Sequence, residues 1–259
     1  KACGMDLDNV EFVWTSEFIK ENPDYWETVL RLSMNATVQR VLRCGQIMGR
    51  EENTGNPSAQ ILYPLMQAAD IHHLEADIAQ LGMDQRKVNM LARDVFPKLG
   101  FEKPVAVHHH MLMGLTEPKS SDTTGVEAAI AKKMSKSNPN SAIFMTDTKE
   151  DVEKKFKKAY CPESQAADNP ILEYFRYIIF EKYDSVTIER PEKFGGSSEY
   201  ESYDELESAF VDKKVHPMDL KATGAKLINE LLEPVREHFK KDKRAKELLD
   251  KVNSFEVTR

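Results

Sequence analysis

Two short apolar runs separated by a helical stretch constrain the fold of this chain more than any other feature. The runs EADIAQLG (75–82) and KPVAVHHHML (103–112) each predict a β-strand, and the first closes on glycine. Between them, the pattern from about Asp84 to Phe96 predicts a helix. Because strand–helix–strand alternation is typical of parallel sheets, we predict an α/β fold.

The segments before this alternation are predicted to be mostly helical. Asn9–Phe18 predicts a short buried strand, and a long helix follows from about Tyr25 to Gly49. The turn-forming stretch Glu51–Ala59 separates it from a helix at about Ile61–Leu74.

A change of character near residue 148 predicts a domain boundary. Past this point the predicted elements are helices, and Thr148 suits the N-cap of the first one. We therefore predict two domains, residues 1–147 and residues 148–259.

Composition excludes several classes of protein. With 259 residues, 41% hydrophobic and 31% charged, the chain is expected to be soluble and to bury a sizeable core. Its net charge of −7 argues against non-specific coating of nucleic acid, but not against a local basic face. Three cysteines without disulfide or zinc spacing favour a reducing, cytoplasmic location. No apolar run of transmembrane length and no signal peptide is visible, so no membrane partner is expected.

A polar stripe runs along the predicted helix ILYPLMQAADIHHL. At about 100° per residue, Tyr63, Gln67 and Asp70 fall on one face, whereas nearly all other residues up to Ile71 are apolar or small. Unpaired buried amides and carboxylates are costly. The stripe is therefore satisfied either by internal hydrogen bonds or by a small polar ligand that brings a hydroxyl or ammonium to Asp70.

Polar residues also follow the first predicted strand of the alternation. Gly82 ends that strand, and Asp84 and Gln85 come directly after it. Ligands of open α/β sheets bind at the carboxyl ends of strands. Asp84 is therefore either an acceptor for ribose hydroxyls or the cap of the next helix, and Gln85 could reach the ligand of the polar stripe.

The segment KKMSKSNPN (132–140) concentrates positive charge in a predicted loop. Lys133 and Lys136, with the hydroxyls of Ser135 and Ser137, could surround a polyphosphate. A lysine-rich loop is more often simply solvated, but the string KMSKS is far more specific than that.

Two histidine-rich stretches are candidates for a metal site. Neither IHHLEAD (71–77) nor HHH (108–110) pairs histidines four residues apart with a supporting carboxylate. We expect them to pack or to lie near substrate, and we expect no protein-bound metal.

Taken together, YPLMQAADI, GMDQRK and KMSKS resemble the tyrosyl-tRNA synthetases of archaeal and eukaryotic type, which are class I aminoacyl-tRNA synthetases. The resemblance covers essentially the whole chain, and RPEKFGG and VHPMDLK are similar to that family's anticodon-binding domain. It implies the later part of a Rossmann-like parallel-sheet catalytic domain followed by an all-α anticodon-binding domain. Gln67 together with Asp70 is not expected in tryptophanyl enzymes, which share the fold.

The resemblance also implies a tyrosine site. Tyr63 and Gln67 resemble the residues that hold the α-amino group of tyrosine, and Gln85 lies near its backbone end. Asp70 resembles the acceptor for the phenol hydroxyl. A buried Asp70 would reject phenylalanine, a kind of selectivity for which this family is itself the standard example.

An ATP site is implied in the same way. Asp84 resembles the ribose-binding carboxylate, and Gly82 lets the ligand approach the backbone. Lys133 and Lys136, in the motif with Ser135 and Ser137, resemble the lysines that stabilise the pentavalent α-phosphate. The segment resembling the adenine-lining residues comprises Met111, Leu112, Gly114 and Leu115.

The implied reaction is adenylation of tyrosine by ATP, with Mg²⁺ accompanying the ATP, and then transfer to tRNA(Tyr). Phe194, His216 and Asp219 resemble the residues that stack on and hydrogen-bond anticodon bases. The Tyr25–Gly49 helix and the turn after it resemble the family's connective segment, so we expect a homodimer. The apolar residues there that could serve the dimer or the core are Val29, Leu30, Leu32, Val38, Val41, Leu42 and Ile47.

One departure from the family concerns the start of the chain. A His-x-Gly-His signature and the first half of the sheet have no match, and the sequence does not begin with Met. We therefore expect a fragment that is inactive without the N-terminal part of its catalytic domain. The alternative is a non-catalytic, synthetase-derived tRNA-binding or interaction module, but the intact KMSKS and polar stripe favour the enzyme.

Overall fold

The structure is a computed structural model that describes residues 1–45, 57–118, 128, 132–134 and 138–255. The chain forms two compact units. The sheet unit comprises Phe12–Met111 and Ser120–Ala131, and the helical unit comprises Lys1–Glu11, Leu112–Lys119 and Lys132–Arg259. The division into domains at residues 1–147 and 148–259 stays a prediction.

The sheet unit contains five described helices and two strands. In chain order they are α1 (Thr15–Glu21), α2 (Tyr25–Met34), α3 (Val38–Gly45), α4 (Ala59–His73), β1 (Ile78–Gly82), α5 (Arg86–Leu99) and β2 (Val105–His109).

The predicted strand–helix–strand alternation is confirmed. β1 and β2 pair in parallel, with Ile78 opposite Val105 and Gly82 opposite His109, and α5 connects them. α5 packs against both strands, whereas one face of the described sheet exposes the apolar side chains of Ile78, Val105 and Val107.

The predicted strand over Asn9–Phe18 is wrong. Leu7–Asn9 is a single 3₁₀ turn and α1 begins at Thr15, and no described strand pairs with the residues between them. Phe12 and Trp14 are exposed, with 68% and 73% of their surface accessible. A run of consecutive apolar residues without a pairing strand cannot satisfy its backbone in a sheet.

The single long helix predicted from Tyr25 to Gly49 is also wrong, because α2 ends at Met34. The side-chain amide of Asn35 donates to the carbonyl oxygen of Arg31 at 3.0 Å and thereby satisfies the end of α2. Thr37 then accepts from the backbone N–H of Arg40 at 3.2 Å and starts α3. Residues 46–56, including Ile47, lie outside the described residues.

The core of the sheet unit lies where α2, α3 and α5 pack on α4. Its largest fully buried side chains are Tyr25, Leu32, Leu65, Leu91 and Phe96. The polar stripe of α4 therefore lies on a helix that neighbours hold in place on several sides.

The helical unit contains α6 (Lys149–Lys158), α7 (Pro170–Tyr174), β3 (Val186–Ile188), β4 (Ser198–Tyr200), α8 (Tyr203–Val211), α9 (Pro217–Lys241) and α10 (Lys243–Asn253). Thr148 caps α6 in a reciprocal capping box with Asp151, as predicted. The antiparallel hairpin β3–β4 adds two short strands to the predicted helices. Among the described helices of the chain, none is both long and apolar enough to cross a membrane.

Candidate functional site

The polar stripe of α4 has internal hydrogen-bond partners. The Gln67 side-chain amide donates to Oε1 of Gln85 at 3.2 Å, which joins α4 to the end of the turn that follows β1. Tyr63, one turn earlier, has 56% of its surface exposed. The structure thus brings Gln67 and Gln85 together and leaves Tyr63 accessible on the same helix.

Asp70 is held by a residue of α2. The hydroxyl of Tyr25 lies 2.6 Å from Oδ1 of Asp70 and 3.1 Å from the carbonyl oxygen of Met66. Burial raises the pKa of Asp70, although the Tyr25 hydrogen bond and nearby His73 act in the opposite direction. Burial also raises the pKa of Tyr25, so its hydroxyl keeps its proton. Within the described part of the chain, Oδ2 of Asp70 has no hydrogen-bond partner.

The edge of the sheet after β1 is shaped by close packing. Met83–Gln85 form a 3₁₀ turn between β1 and α5. A Cβ atom on Gly82 would lie 2.7 Å from Oδ1 of Asp84 and 3.5 Å from Nε2 of His109, so the Asp84 carboxylate would have to shift to admit another residue at this position. The N-cap position of α5 is Gln85, whose side chain makes no capping hydrogen bond, and both interpretations of Asp84 stay predictions.

The histidines of the sheet unit pair with amides and aromatic rings. His109 Nδ1 lies 2.9 Å from the side-chain nitrogen of Gln80, and His108 Nε2 lies 3.1 Å from that of Asn89. His72 stacks on Phe101 with ring centroids 3.7 Å apart, and burial lowers the pKa of His72 and of His108. Among the described residues, no three His, Cys, Asp or Glu side chains are placed to hold a metal ion.

Within the helical unit, the first part of the lysine motif contacts the segment after β2. The Gly114 N–H donates to the Lys132 carbonyl at 2.9 Å, and Met113 and Lys133 form an antiparallel bridge. Leu115 is 1% exposed and belongs to the core of this unit. The remaining motif residues named from the sequence lie outside the described residues, namely Ser135, Lys136 and Ser137.

An exposed aromatic ring marks the loop between β3 and β4. Phe194 ends a 3₁₀ turn and has 58% of its surface exposed, with Nζ of Lys193 4.9 Å from its ring centroid. Gly195 and Gly196 follow with φ of +112° and +77°. Since side chains other than glycine rarely adopt such angles, these two residues fix how the loop presents the ring.

The start of α9 forms a second polar cluster of the helical unit. His216 occupies the N-cap, and its Nδ1 accepts from the Met218 N–H at 3.2 Å. Asp219, in the first turn, forms an ion pair with Arg190, whose Nε lies 3.2 Å from Oδ2. Arg190 also donates to the Lys214 carbonyl at 3.1 Å. Arg190, Asp219 and Lys214 line a cavity of 240 Å³ that also includes Gly195 and Gly196.

The sequence and fold match known proteins over nearly the whole chain. A family model described as tRNA synthetases class I (W and Y) matches residues 1–233. The chain belongs to this family. This membership confirms the resemblance stated above and the predicted α/β class with a helical C-terminal part.

Individual proteins of this family are similar to the chain in both sequence and structure. Cytoplasmic tyrosine–tRNA ligase 1 of Arabidopsis thaliana is 47% identical over an alignment of 261 positions that covers all of this chain and 65% of the relative. A tyrosine–tRNA ligase of Saccharolobus solfataricus is 43% identical, and the match covers 72% of it. Tyrosyl-tRNA synthetase from Pyrococcus horikoshii, crystallised with L-tyrosine, superposes with a TM-score of 0.86 at 41% identity, covering 96% of this chain and 71% of that one. The chain thus spans about two thirds of the length of the Arabidopsis relative.

Two partners of candidate-site residues in this synthetase chain escaped prediction from the sequence. Tyr25 holds Asp70 from 45 positions earlier, and nothing in its own helical pattern points to that contact. Arg190 holds Asp219, and the one signal available was its place at the start of RPEKFGG.

Proposed function

We propose that this chain acts as part of a tyrosine–tRNA ligase, which activates tyrosine with ATP and transfers it to tRNA(Tyr). The observation that carries the proposal is Asp70, a desolvated carboxylate with one oxygen held by Tyr25 and the other without a partner in the described residues. Such an acceptor suits a phenol hydroxyl. The relatives that bear the name tyrosine–tRNA ligase support the same activity.

In this proposal, the polar stripe of α4 binds the amino acid. Asp70 accepts from the phenol hydroxyl, whereas Tyr63 and Gln67 bind the α-amino group and Gln85 lies at the backbone end. The hydrogen bond between Gln67 and Gln85 supports a shared ligand because it holds both amides at one place. The P. horikoshii relative was crystallised with L-tyrosine, which supports this choice of ligand.

ATP, with its Mg²⁺, is the proposed second substrate. Asp84 binds the ribose, and the absence of a side chain on Gly82 leaves room for the Asp84 carboxylate beside the backbone. Lys133 and Lys136, with Ser135 and Ser137, neutralise the phosphates and stabilise the charge that develops at the α-phosphate. The adenine is proposed to lie along Met111, Leu112, Gly114 and Leu115.

The helical unit is proposed to bind the anticodon of tRNA(Tyr). The exposed ring of Phe194 is available for stacking on a base, and stacking on an aromatic ring stabilises a single-stranded base by about 1–3 kcal/mol. His216 and Asp219 supply polar groups for base edges at the start of α9.

A homodimer and a cytoplasmic location complete the proposal. The apolar residues of α2 and α3 divide into a buried set and an exposed set. Val29, Leu32 and Val41 belong to the core, whereas Leu30, Val38 and Leu42 are exposed and could meet a second copy. The Arabidopsis relative is named cytoplasmic, which supports the location. Light scattering that gave a monomer at micromolar concentration would refute the dimer.

The decisive experiment is tyrosine-dependent ATP–pyrophosphate exchange by the protein that carries this chain. We expect exchange with tyrosine and its loss in Lys136→Ala, because that lysine is proposed to stabilise the reacting phosphate. Lys154→Ala, which removes a lysine of α6 with no proposed role, is the matched control and should keep its exchange. A protein that binds tRNA but shows no exchange would instead be the non-catalytic module.

A further inference from the structure

Tyr25 has a buried hydroxyl that packing of its ring alone does not explain. Its side chain is completely buried, and its ring makes edge-on contacts with Phe18 and Trp26. Its hydroxyl nevertheless reaches across from α2 to α4, where it lies 2.6 Å from Oδ1 of Asp70. A phenylalanine would keep the ring contacts, so the hydroxyl has to be explained by what it touches.

The hydroxyl of Tyr25 has one proton and two acceptors within reach. Met66 offers its carbonyl oxygen at 3.1 Å, and Asp70 offers Oδ1 at the shorter distance. A separation of 2.6 Å is characteristic of a hydroxyl that donates to an ionised carboxylate, and such bonds are roughly twice as strong as neutral ones. The proton therefore belongs to the bond with Asp70, and Oδ1 is the oxygen that this bond holds.

A hydrogen bond to one oxygen of a carboxylate also fixes the direction in which its second oxygen points. Without Tyr25, Asp70 would be free to rotate about its side-chain torsions, since the described residues give its carboxylate no second hydrogen-bond donor. Binding a ligand hydroxyl would then cost the entropy of ordering that side chain. His73, on the same helix, and Tyr25, on α2, are the titratable groups that act on Asp70.

We propose that Tyr25 is a positioning residue for substrate selection: by donating to Oδ1 of Asp70, it presents Oδ2 to the phenol hydroxyl of tyrosine. This inference rests on the proposed function, in which Asp70 is the phenol acceptor. It assigns the preference for tyrosine over phenylalanine to a pair of residues, one of which never touches the substrate.

The test is Tyr25→Phe in the protein that carries this chain, assayed by ATP–pyrophosphate exchange with tyrosine and with phenylalanine. We expect KM for tyrosine to rise about 10- to 100-fold, as for one hydrogen bond to a charged group, with kcat little changed. The values for phenylalanine should stay constant, so the ratio of kcat/KM for the two substrates should fall by the same factor. Tyr203→Phe is the matched control, because Tyr203 donates to Glu207 at 2.8 Å in the helical unit and has no proposed role in tyrosine selection.

A double-mutant cycle separates positioning from packing. If Tyr25 acts through Asp70, Tyr25→Phe should have no further effect on the ratio in an Asp70→Asn background. Additive effects, or an unchanged ratio in the single variant, would overturn the inference while leaving the proposed function intact. Absence of tyrosine-dependent exchange in the unmodified protein would instead refute the proposed function and this inference together.

A measurement on the unmodified protein covers the case in which Tyr25→Phe fails to fold. The short hydrogen bond should give a low-field proton NMR signal for the Tyr25 hydroxyl that disappears in Asp70→Asn. The signal should persist when tyrosine is added, because the substrate uses Oδ2. Its loss on addition of tyrosine would show that the substrate displaces Tyr25, and the positioning role would be wrong.

Discussion

Two carboxylates of this synthetase chain are held in opposite ways. Asp70, in the sheet unit, is paired with the neutral hydroxyl of Tyr25 among packed helices, and burial raises its pKa. Asp219, in the helical unit, is paired with the guanidinium of Arg190, and its side chain remains 22% exposed. A desolvated carboxylate without a counter-ion interacts strongly with any donor that reaches it, whereas an ion-paired and partly hydrated one discriminates less. The first arrangement suits the choice between small molecules, and the second suits one contact among many on a large partner.

The largest effect should follow from the sheet-unit carboxylate. Asp70→Asn should reduce kcat/KM for tyrosine by about 30- to 150-fold, because a hydrogen bond between the substrate and a desolvated charged group is lost. The amide oxygen that the substitution introduces would also be a weaker acceptor than the carboxylate for the Tyr25 hydroxyl. Exchange kinetics with tyrosine and phenylalanine measure it. Asp94→Asn is the matched control, since Asp94 forms an ion pair with Arg40 and is 56% exposed. Equal losses in both variants would show that the effect of Asp70→Asn does not come from a hydrogen bond specific to Asp70.

The same contrast predicts a pH dependence. In its proposed role, Asp70 must be ionised to accept from the phenol hydroxyl of tyrosine. Because the pKa of Asp70 is raised, kcat/KM for tyrosine should begin to fall at a higher pH than it would with an ordinary aspartate. Below that pKa the loss should approach about tenfold per pH unit. A profile of kcat/KM from pH 4 to 8 measures it, and a fall that begins no higher than for an ordinary aspartate would contradict a raised pKa.

A smaller effect is expected at the edge of the sheet. In Gly82→Ala, the new Cβ would lie 2.7 Å from Oδ1 of Asp84, so that carboxylate must move. We expect KM for ATP to rise about tenfold, as for a weakened hydrogen bond to a charged group, with a lesser change in KM for tyrosine. Ala106→Gly, which makes the reverse change of one methyl group on the neighbouring strand, should leave KM for ATP unchanged.

The smallest effect should come from the ion-paired carboxylate. Asp219→Asn should raise KM for tRNA about 3- to 10-fold, since one charge-assisted contact of a partly exposed group is lost, and should leave tyrosine-dependent exchange unchanged. Asp212→Asn controls for charge alone, because Asp212 pairs with Lys214 at a position that is 58% exposed. A loss of exchange in Asp219→Asn would show that the two carboxylates do not serve separate steps.

The hydrophobic pattern of each segment predicted much of the fold, whereas elements that depend on single hydrogen bonds or on a pairing strand were mispredicted. The alternation around β1, α5 and β2 was predictable because each segment has its own periodicity. The break between α2 and α3 was not, since Asn35 and Thr37 act through single hydrogen bonds that a hydrophobic pattern does not contain. The strand prediction at Asn9–Phe18 failed for the converse reason. Its side-chain composition favours a strand, but a strand also needs a neighbouring strand to pair with.

The residues of the candidate site also differ in whether the sequence alone reveals them. Gln67, Asp70 and Asp84 stand out in the sequence because polar residues interrupt apolar patterns or follow a strand. Tyr25 and Arg190 do not, since an aromatic ring in a helix and an arginine before a proline are ordinary in their local setting. Their importance arises from the side chain that each meets across the fold, 45 and 29 positions away.

The burial of Tyr25 has a consequence for how such an enzyme could be redirected to another amino acid. A library confined to pocket-lining positions would vary Asp70 but keep the buried hydroxyl, which would then have only the Met66 carbonyl oxygen as an acceptor. A change at position 70 alone would therefore alter a hydrogen bond of the core as well as the choice of substrate. Varying position 25 together with position 70 should widen the range of viable variants, because one hydrogen bond joins a core residue to the residue proposed to select the substrate.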